Sequence, residues 1–159
     1  MVKVLFVCLG NICRSPMAQG VLEDKLREAG LAHNVTVDSA GTGAYHIGEA
    51  PDSRGQAAAL ARGVDISTQR ARQVRDADFE EFDYVLAMDR DNEYALRARC
   101  RPKLAHKIRL FLEFAPELAE REVPDPYYGG PNGFEQVLDM VEFAAEGLID
   151  DMQRRHPHG

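Results

Sequence analysis

No apolar run in this chain approaches the roughly 20 residues that a membrane-spanning helix needs, and no stretch is repeated, low in complexity or built like a linker. Membrane-spanning and multi-unit readings therefore have no support. Cysteine is sparse: three residues, an odd number, without a Cys-x-x-Cys pair or a Cys/His spacing of the zinc kind, so neither a disulfide scaffold nor a metal site is expected. Positive charge is scarce too. The 19 Lys and Arg face 26 Asp and Glu, for a net charge of -7, and no basic stripe carries interleaved aromatics. That balance argues against nucleic acid or an anionic membrane as partner. Met1-Val2-Lys3 leads straight into apolar sequence, with no basic region and apolar core of an export signal. The expected location is cytoplasmic, a reducing compartment that suits a working thiol.

What is there is an ordinary globular composition: 159 residues, 45% hydrophobic and 28% charged, enough for one domain (1–159). A chain of this size buries roughly two thirds of its unfolded surface in a single core. Val4-Leu5-Phe6-Val7 reads as a strand buried on both faces and Tyr84 to Met88 as another, while Val35 to Ser39 reads as an alternating strand and Lys107 to Leu112 as an edge strand. Helical patterns separate them. The first runs from Ser15-Pro16 to about Ala29 before Gly30, the next from Ser53 to Arg62 before Gly63. Asp76 or Asp78 caps a short turn, and another helix follows from about Arg90 to Ala98. The last helix opens on Asn132 and Glu135 as a capping box and carries Phe134, Val137, Leu138, Val141, Ala145, Leu148, Ile149 and Met152 at helical spacing. Pro116 to Pro131 is predicted to be loop, and Arg154 to Gly159 a frayed tail. Strands alternating with helices imply an α/β fold with a parallel sheet, which binds ligands at the carboxyl ends of its strands.

Cys8 sits at such an end. Gly10 and Asn11 are the residue types that most readily accept a positive φ, so the loop after Cys8 can curl its N–H groups around one centre and hold an anion. Ser15-Pro16 fits a helix start, with Ser as cap and Pro at the first position, and the positive end of that helix points back at Cys8. Arg14 adds a planar fork that matches two phosphate oxygens. Amides, helix end and Arg14 all favour a thiolate beneath a bound phosphate. The alternative is a buried structural cysteine beside a surface arginine.

Cys8-Leu9-Gly10-Asn11-Ile12-Cys13-Arg14-Ser15 resembles the phosphate loop of the low-molecular-weight protein tyrosine phosphatases. The likeness extends from Val4 to about Leu148 through Asp38-Ser39-Ala40-Gly41, Ala71-Arg72-Gln73 and Phe82-Asp83-Tyr84. It implies a four-stranded, doubly wound parallel sheet of order 2-1-3-4 with helices on both faces. A phosphate monoester leaves as an alkoxide or phenolate unless it is protonated, so thiolate attack needs a general acid. Asp125, between Pro124 and Pro126, is the candidate, and Asp125-Pro126-Tyr127-Tyr128 is similar to the family's acid loop.

The mechanism so implied has Cys8 displace the leaving group to form a cysteinyl-phosphate, with Asp125 first as acid and then as base. Leu9, Gly10, Asn11, Ile12, Cys13, Arg14 and Ser15 hold the phosphate; no metal and no cofactor is needed. Ser15 can donate to the sulfur. Asn11 is expected to hold a left-handed turn. Leu9, Ile12, Tyr45, Tyr127 and Tyr128 are the candidate pocket walls, and an aromatic slot would favour phosphotyrosine over shorter phosphoserine. Asp89 either orients the loop or caps the next helix. The family's loop-supporting histidine is matched here by Gln69, whose amide can bridge two partners without titrating. Cys13 can form a reversible disulfide that shields Cys8 from irreversible oxidation, or it is a small buried hydrophobe. The partner implied is a tyrosine-phosphorylated protein, a tyrosine kinase among the candidates. Two other functions compete: a thioredoxin-coupled arsenate reductase, which needs two further cysteines where only Cys100 follows, and a phosphotyrosine-binding module without turnover.

Overall fold

The computed structural model describes residues 1–126 and 132–157. Within them β1 (Val2–Cys8), β2 (Val35–Gly41), β3 (Tyr84–Ala87) and β4 (Ile108–Leu110) form one sheet in the order 2-1-3-4, every neighbouring pair parallel. The helices are α1 (Arg14–Glu28), α2 (Ser53–Ala61), α3 (Asp76–Glu81), α4 (Arg90–Arg99) and α5 (Gly133–Arg155), with 3₁₀ turns at Ala32–Asn34, Pro102–Lys107 and Phe111–Phe114.

The alternation of β1 explains the doubly wound arrangement. Val2, Val4, Phe6 and Cys8 enter a core shared with α1, α2 and α5, whereas Leu5 and Val7 enter a second core shared with α3 and α4. A strand covered on both sides has no solvent face to make polar, which is why residues 4–7 are continuously apolar. Phe6 meets Phe111 edge-on at 4.8 Å between ring centroids. Truncating so enclosed a ring to alanine costs about 3–5 kcal/mol.

Several predicted boundaries move, each for a local reason. Strand β2 continues beyond Ser39 because Ala40 and Gly41 pair with Val7 and Cys8. Strand β4 is confined to 108–110 because Phe111–Phe114 coils into a 3₁₀ turn that buries Phe111, Leu112 and Phe114. Ser15 does not cap α1: Cys13 holds that position with no side-chain bond, and the Ser15 hydroxyl is engaged by Cys8 and Asn11. At α5 the capping box is not formed, since Asn132 makes no side-chain cap bond and the Glu135 carboxylate is taken by Arg62 at 2.8 Å. Asp78 rather than Asp76 fastens α3, by accepting from the Arg75 N–H at 2.8 Å. The expected frayed tail is helical to Arg155, and the His156 ring lies 6.0 Å from that of Tyr84. The loop 116–131 is irregular as far as it is described; residues 127–131 lie outside the described residues, as do 158–159. Among the described residues no helix is long and apolar enough to cross a membrane.

The order 2-1-3-4 sends the chain to opposite sides of β1, so a crevice opens between the carboxyl ends of β1 and β3. Cys8 ends β1 and Asp89 follows β3.

Candidate active site

From Cys8 the backbone turns through a loop anchored on both sides. The Thr42 N–H donates to the Cys8 carbonyl and the Gly43 N–H to that of Leu9, each at 2.9 Å, and the Asp52 N–H reaches the Ile12 carbonyl at 2.8 Å. Asn11 takes a φ of 58° and is the one non-glycine residue with positive φ among those described. Gly10, expected to share that conformation, does not adopt it. It is glycine for space: a Cβ there would lie 2.9 Å from His46 Cδ2.

The Asn11 side chain accounts for the shape of the loop. Its Nδ2 donates to Ser15 Oγ at 2.8 Å and to Ser39 Oγ at 2.9 Å, while Oδ1 accepts from the Arg72 N–H at 3.0 Å. Ser39 passes its own hydrogen to Gln19 Oε1 at 2.8 Å. Ser15 Oγ lies 3.0 Å from Cys8 Sγ. Asn11 donates to Ser15 Oγ, so the serine hydrogen is free to point at the sulfur. Asn11 and Ser15 are 2% and 0% exposed, so both act from behind the loop.

The Gln69 amide, which can bridge two partners, does not do so here. The Gln69 side chain makes one bond, Nε2 to the Pro16 carbonyl at 3.0 Å, and its Oε1 is buried without a partner among the described residues. The two Asn11 amide hydrogens go to Ser15 and Ser39 rather than to Gln69. The support comes instead from Ser39 and Arg72, both far from the loop in sequence, with Gln19 on the first turns of α1 accepting from Ser39.

Arg14 is buried, its side chain 4% exposed. Nη1 donates to Asp89 Oδ2 at 2.6 Å and to the Val123 carbonyl at 3.0 Å, and Nη2 stands 3.9 Å from Asp125 Oδ2. Burial pulls the pKa of the guanidinium down, but the charge of Cys8 and the bond to Asp89 outweigh it and hold the group above its ordinary value. Asp89 does both things weighed for it: Oδ2 orients Arg14, and Oδ1 caps α4 by accepting from the Asn92 N–H at 2.7 Å.

Cys8, Leu9, Gly10, Ile12, Cys13, Arg14, Tyr45, His46 and Asp125 line one cleft of about 190 Å³. Leu9 and Tyr45 stand at its rim, 47% and 73% exposed. Tyr127 and Tyr128, the other expected walls, lie outside the described residues. His46 is the wall residue that sequence reasoning missed; its Nδ1 meets Glu49 Oε2 at 2.9 Å. The signal for it in the sequence is its place among Gly41, Gly43 and Gly48, at and after the end of β2. Cys13 is a free thiol whose pKa is pushed up to about 12, first by burial and then by the charges of Asp52, Cys8 and Asp125. Cys100 does not line the cleft; its Sγ bonds the Arg101 carbonyl.

Residues 3–158 match the model of the low molecular weight phosphotyrosine protein phosphatase family. A putative low molecular weight protein-tyrosine-phosphatase of Synechocystis is 44% identical over 151 residues, covering 94% of this chain and 96% of that protein. A low molecular weight protein-tyrosine-phosphatase of Streptomyces coelicolor is 46% identical over 151 residues, covering 92% and 91%. The crystal structure of a protein tyrosine phosphatase from Entamoeba histolytica superposes with a TM-score of 0.94 at 42% identity, over 98% of this chain and 99% of that one.

Proposed function

The chain belongs to the low molecular weight phosphotyrosine protein phosphatase family, and on that premise we propose that Cys8 is its nucleophile, Arg14 its phosphate clamp and Asp125 its general acid and base. The observation that carries the assignment is that Asp125, far along the chain from the loop that holds Cys8 and Arg14, lines one cleft with both.

The Cys8 thiolate attacks phosphorus, the bond to the tyrosyl oxygen breaks, and Asp125 gives that oxygen a proton. The resulting carboxylate then takes a proton from water as the water oxygen attacks phosphorus. The S–P bond breaks and inorganic phosphate leaves. Nη1 of Arg14 is occupied by Asp89 and Val123, so its Nε and Nη2 edge is the fork for two phosphate oxygens. The amides of residues 9–15 take the rest of the equatorial charge. Ser15 stabilises the sulfur as it departs. Leu9, Ile12 and Tyr45 flank the aryl ring, and Cys13 is the thiol that can trap an oxidised Cys8 as a disulfide. No metal takes part. Residues 1–159 act as one cytoplasmic phosphatase domain on phosphotyrosine-containing proteins, with tyrosine kinases a natural substrate class.

Steady phosphate release from para-nitrophenyl phosphate tests this reading. Cys8→Ser should abolish it and Asp125→Ala should lower kcat about 100-fold. Turnover retained by Cys8→Ser would end the covalent scheme.

A further inference from the structure

Helix α2 is tied at each end to a different half of the site. At its start, the Asp52 N–H holds the Ile12 carbonyl of the phosphate loop at 2.8 Å. Just past its end is Arg62, which reaches across to α5. Nη2 donates to the Glu135 carboxylate at 2.8 Å and to the Glu135 carbonyl at 3.3 Å, and Nη1 meets Asp139 at 2.9 Å and Glu142 at 3.4 Å. The guanidinium side chain is 24% exposed, and three carboxylates converge on it. One cation thus fastens the first turns of α5 to α2.

Those turns touch the acid loop directly. A Cβ on Gly133 would lie 3.5 Å from Pro126 Cβ and from the Pro126 carbonyl oxygen, so the residue after Asp125 rests on the α5 backbone. The other side of Asp125 is held by Val123, whose N–H donates to the Met88 carbonyl at 2.8 Å and whose carbonyl accepts from Arg14. Asp125 therefore stands between two supports, one on the sheet and one on α5. The second depends on the first turns of α5, which the Arg62 cluster and Phe134, packed beside Gly55, hold to α2, while the rest of α5 packs on α1 and on the turn after β4.

We propose that Arg62 is a positioning residue for Asp125, holding the acid loop at its working distance from the leaving group through the first turn of α5. The proposal rests on the reading of Asp125 as general acid. Because a displacement of about 1 Å in a catalytic group can cost 100-fold, a loosened support should be visible in the rate.

The test compares kcat/KM for phenyl phosphate, a poor leaving group that needs the acid, with dinitrophenyl phosphate, which leaves without it. Arg62→Ala should lower the phenyl value about tenfold and leave the dinitrophenyl value within about twofold. Arg62→Lys, which keeps the charge but not the fork, should recover part of the loss. In an Asp125→Asn background Arg62→Ala should add nothing. An equal loss on both substrates, or the same loss with Asp125 already removed, would make Arg62 a merely structural tie and overturn the proposal. Should Arg62→Ala not fold, Glu135→Gln removes one carboxylate and carries the same readout. If Asp125→Asn itself shows no preference for the better leaving group, the reading of Asp125 falls and this proposal with it. If only the Arg62 variants lack that preference, the reading of Asp125 stands.

Discussion

Asn11 uses its amide to join Ser15, Ser39 and the Arg72 backbone while holding a φ of 58°. Asn11→Ala removes three bonds and leaves an alanine in a strained conformation, so it should cost about 3 kcal/mol in urea unfolding and lower kcat/KM. Asn11→Gly relieves the strain but not the bonds, and should fall between alanine and wild type in stability. Equal stability of the two variants would show that conformation contributes nothing there. At Cys13 the raised pKa of about 12, against an ordinary 9.0, has a direct consequence. A group whose folded pKa lies above its unfolded value keeps its proton in the fold; its contribution is whole below pH 9.0 and is lost as pH rises toward 12. Stability should therefore decline through that range, and Cys13→Ala should make the decline shallower. It should not abolish it, because the Tyr84 hydroxyl is also raised, by burial and by its bond to Asp151.

Two elements carry separable expectations. Asp52 caps α2 by accepting from the Arg54 N–H at 2.9 Å, and its pKa is lowered by its bond to Arg54 despite some burial. Asp52→Ala should cost about 1 kcal/mol while leaving the backbone bond to Ile12 in place. A lowered carboxyl stabilises above its ordinary 3.8 and ceases to as pH falls through the lower folded value, so the difference between wild type and variant should close in acid. Helix α5 crosses the turn after β4 so closely that a Cβ on Gly147 would come 1.8 Å from the Phe114 carbonyl oxygen. Gly147→Ala should then destabilise by about 3 kcal/mol, read as a fall in the urea midpoint at constant slope. The strands and long helices could be read from the sequence because their periodicity is local. The end of β4 and the missing cap at α5 could not, because each was decided by a partner far along the chain: α5 in one case and Arg62 in the other.

Across the whole molecule a net charge of -7 surrounds a site that must hold a dianion, so capture depends on groups inside the cleft. Vanadate or phosphate should raise Tm by binding the folded state alone, about 2.7 kcal/mol at a hundred times Kd, and Arg14→Ala should remove the effect. The same division between local and distant marks what the sequence revealed of the site. Residues 8–15 and Asp125 were legible as motifs, whereas His46, Gln19, Val123 and Arg62 carry no local signature and enter only through tertiary contact. The central claim is that phosphate passes through Cys8. The most direct measurement is rapid acid quench during turnover of an aryl phosphate, followed by peptide mass spectrometry. The account expects one phosphoryl group on the peptide holding Cys8, formed with a stoichiometric burst of the aryl alcohol. A burst with the phosphoryl group on another residue, or steady turnover with no phosphorylated enzyme at any quench time, would contradict it.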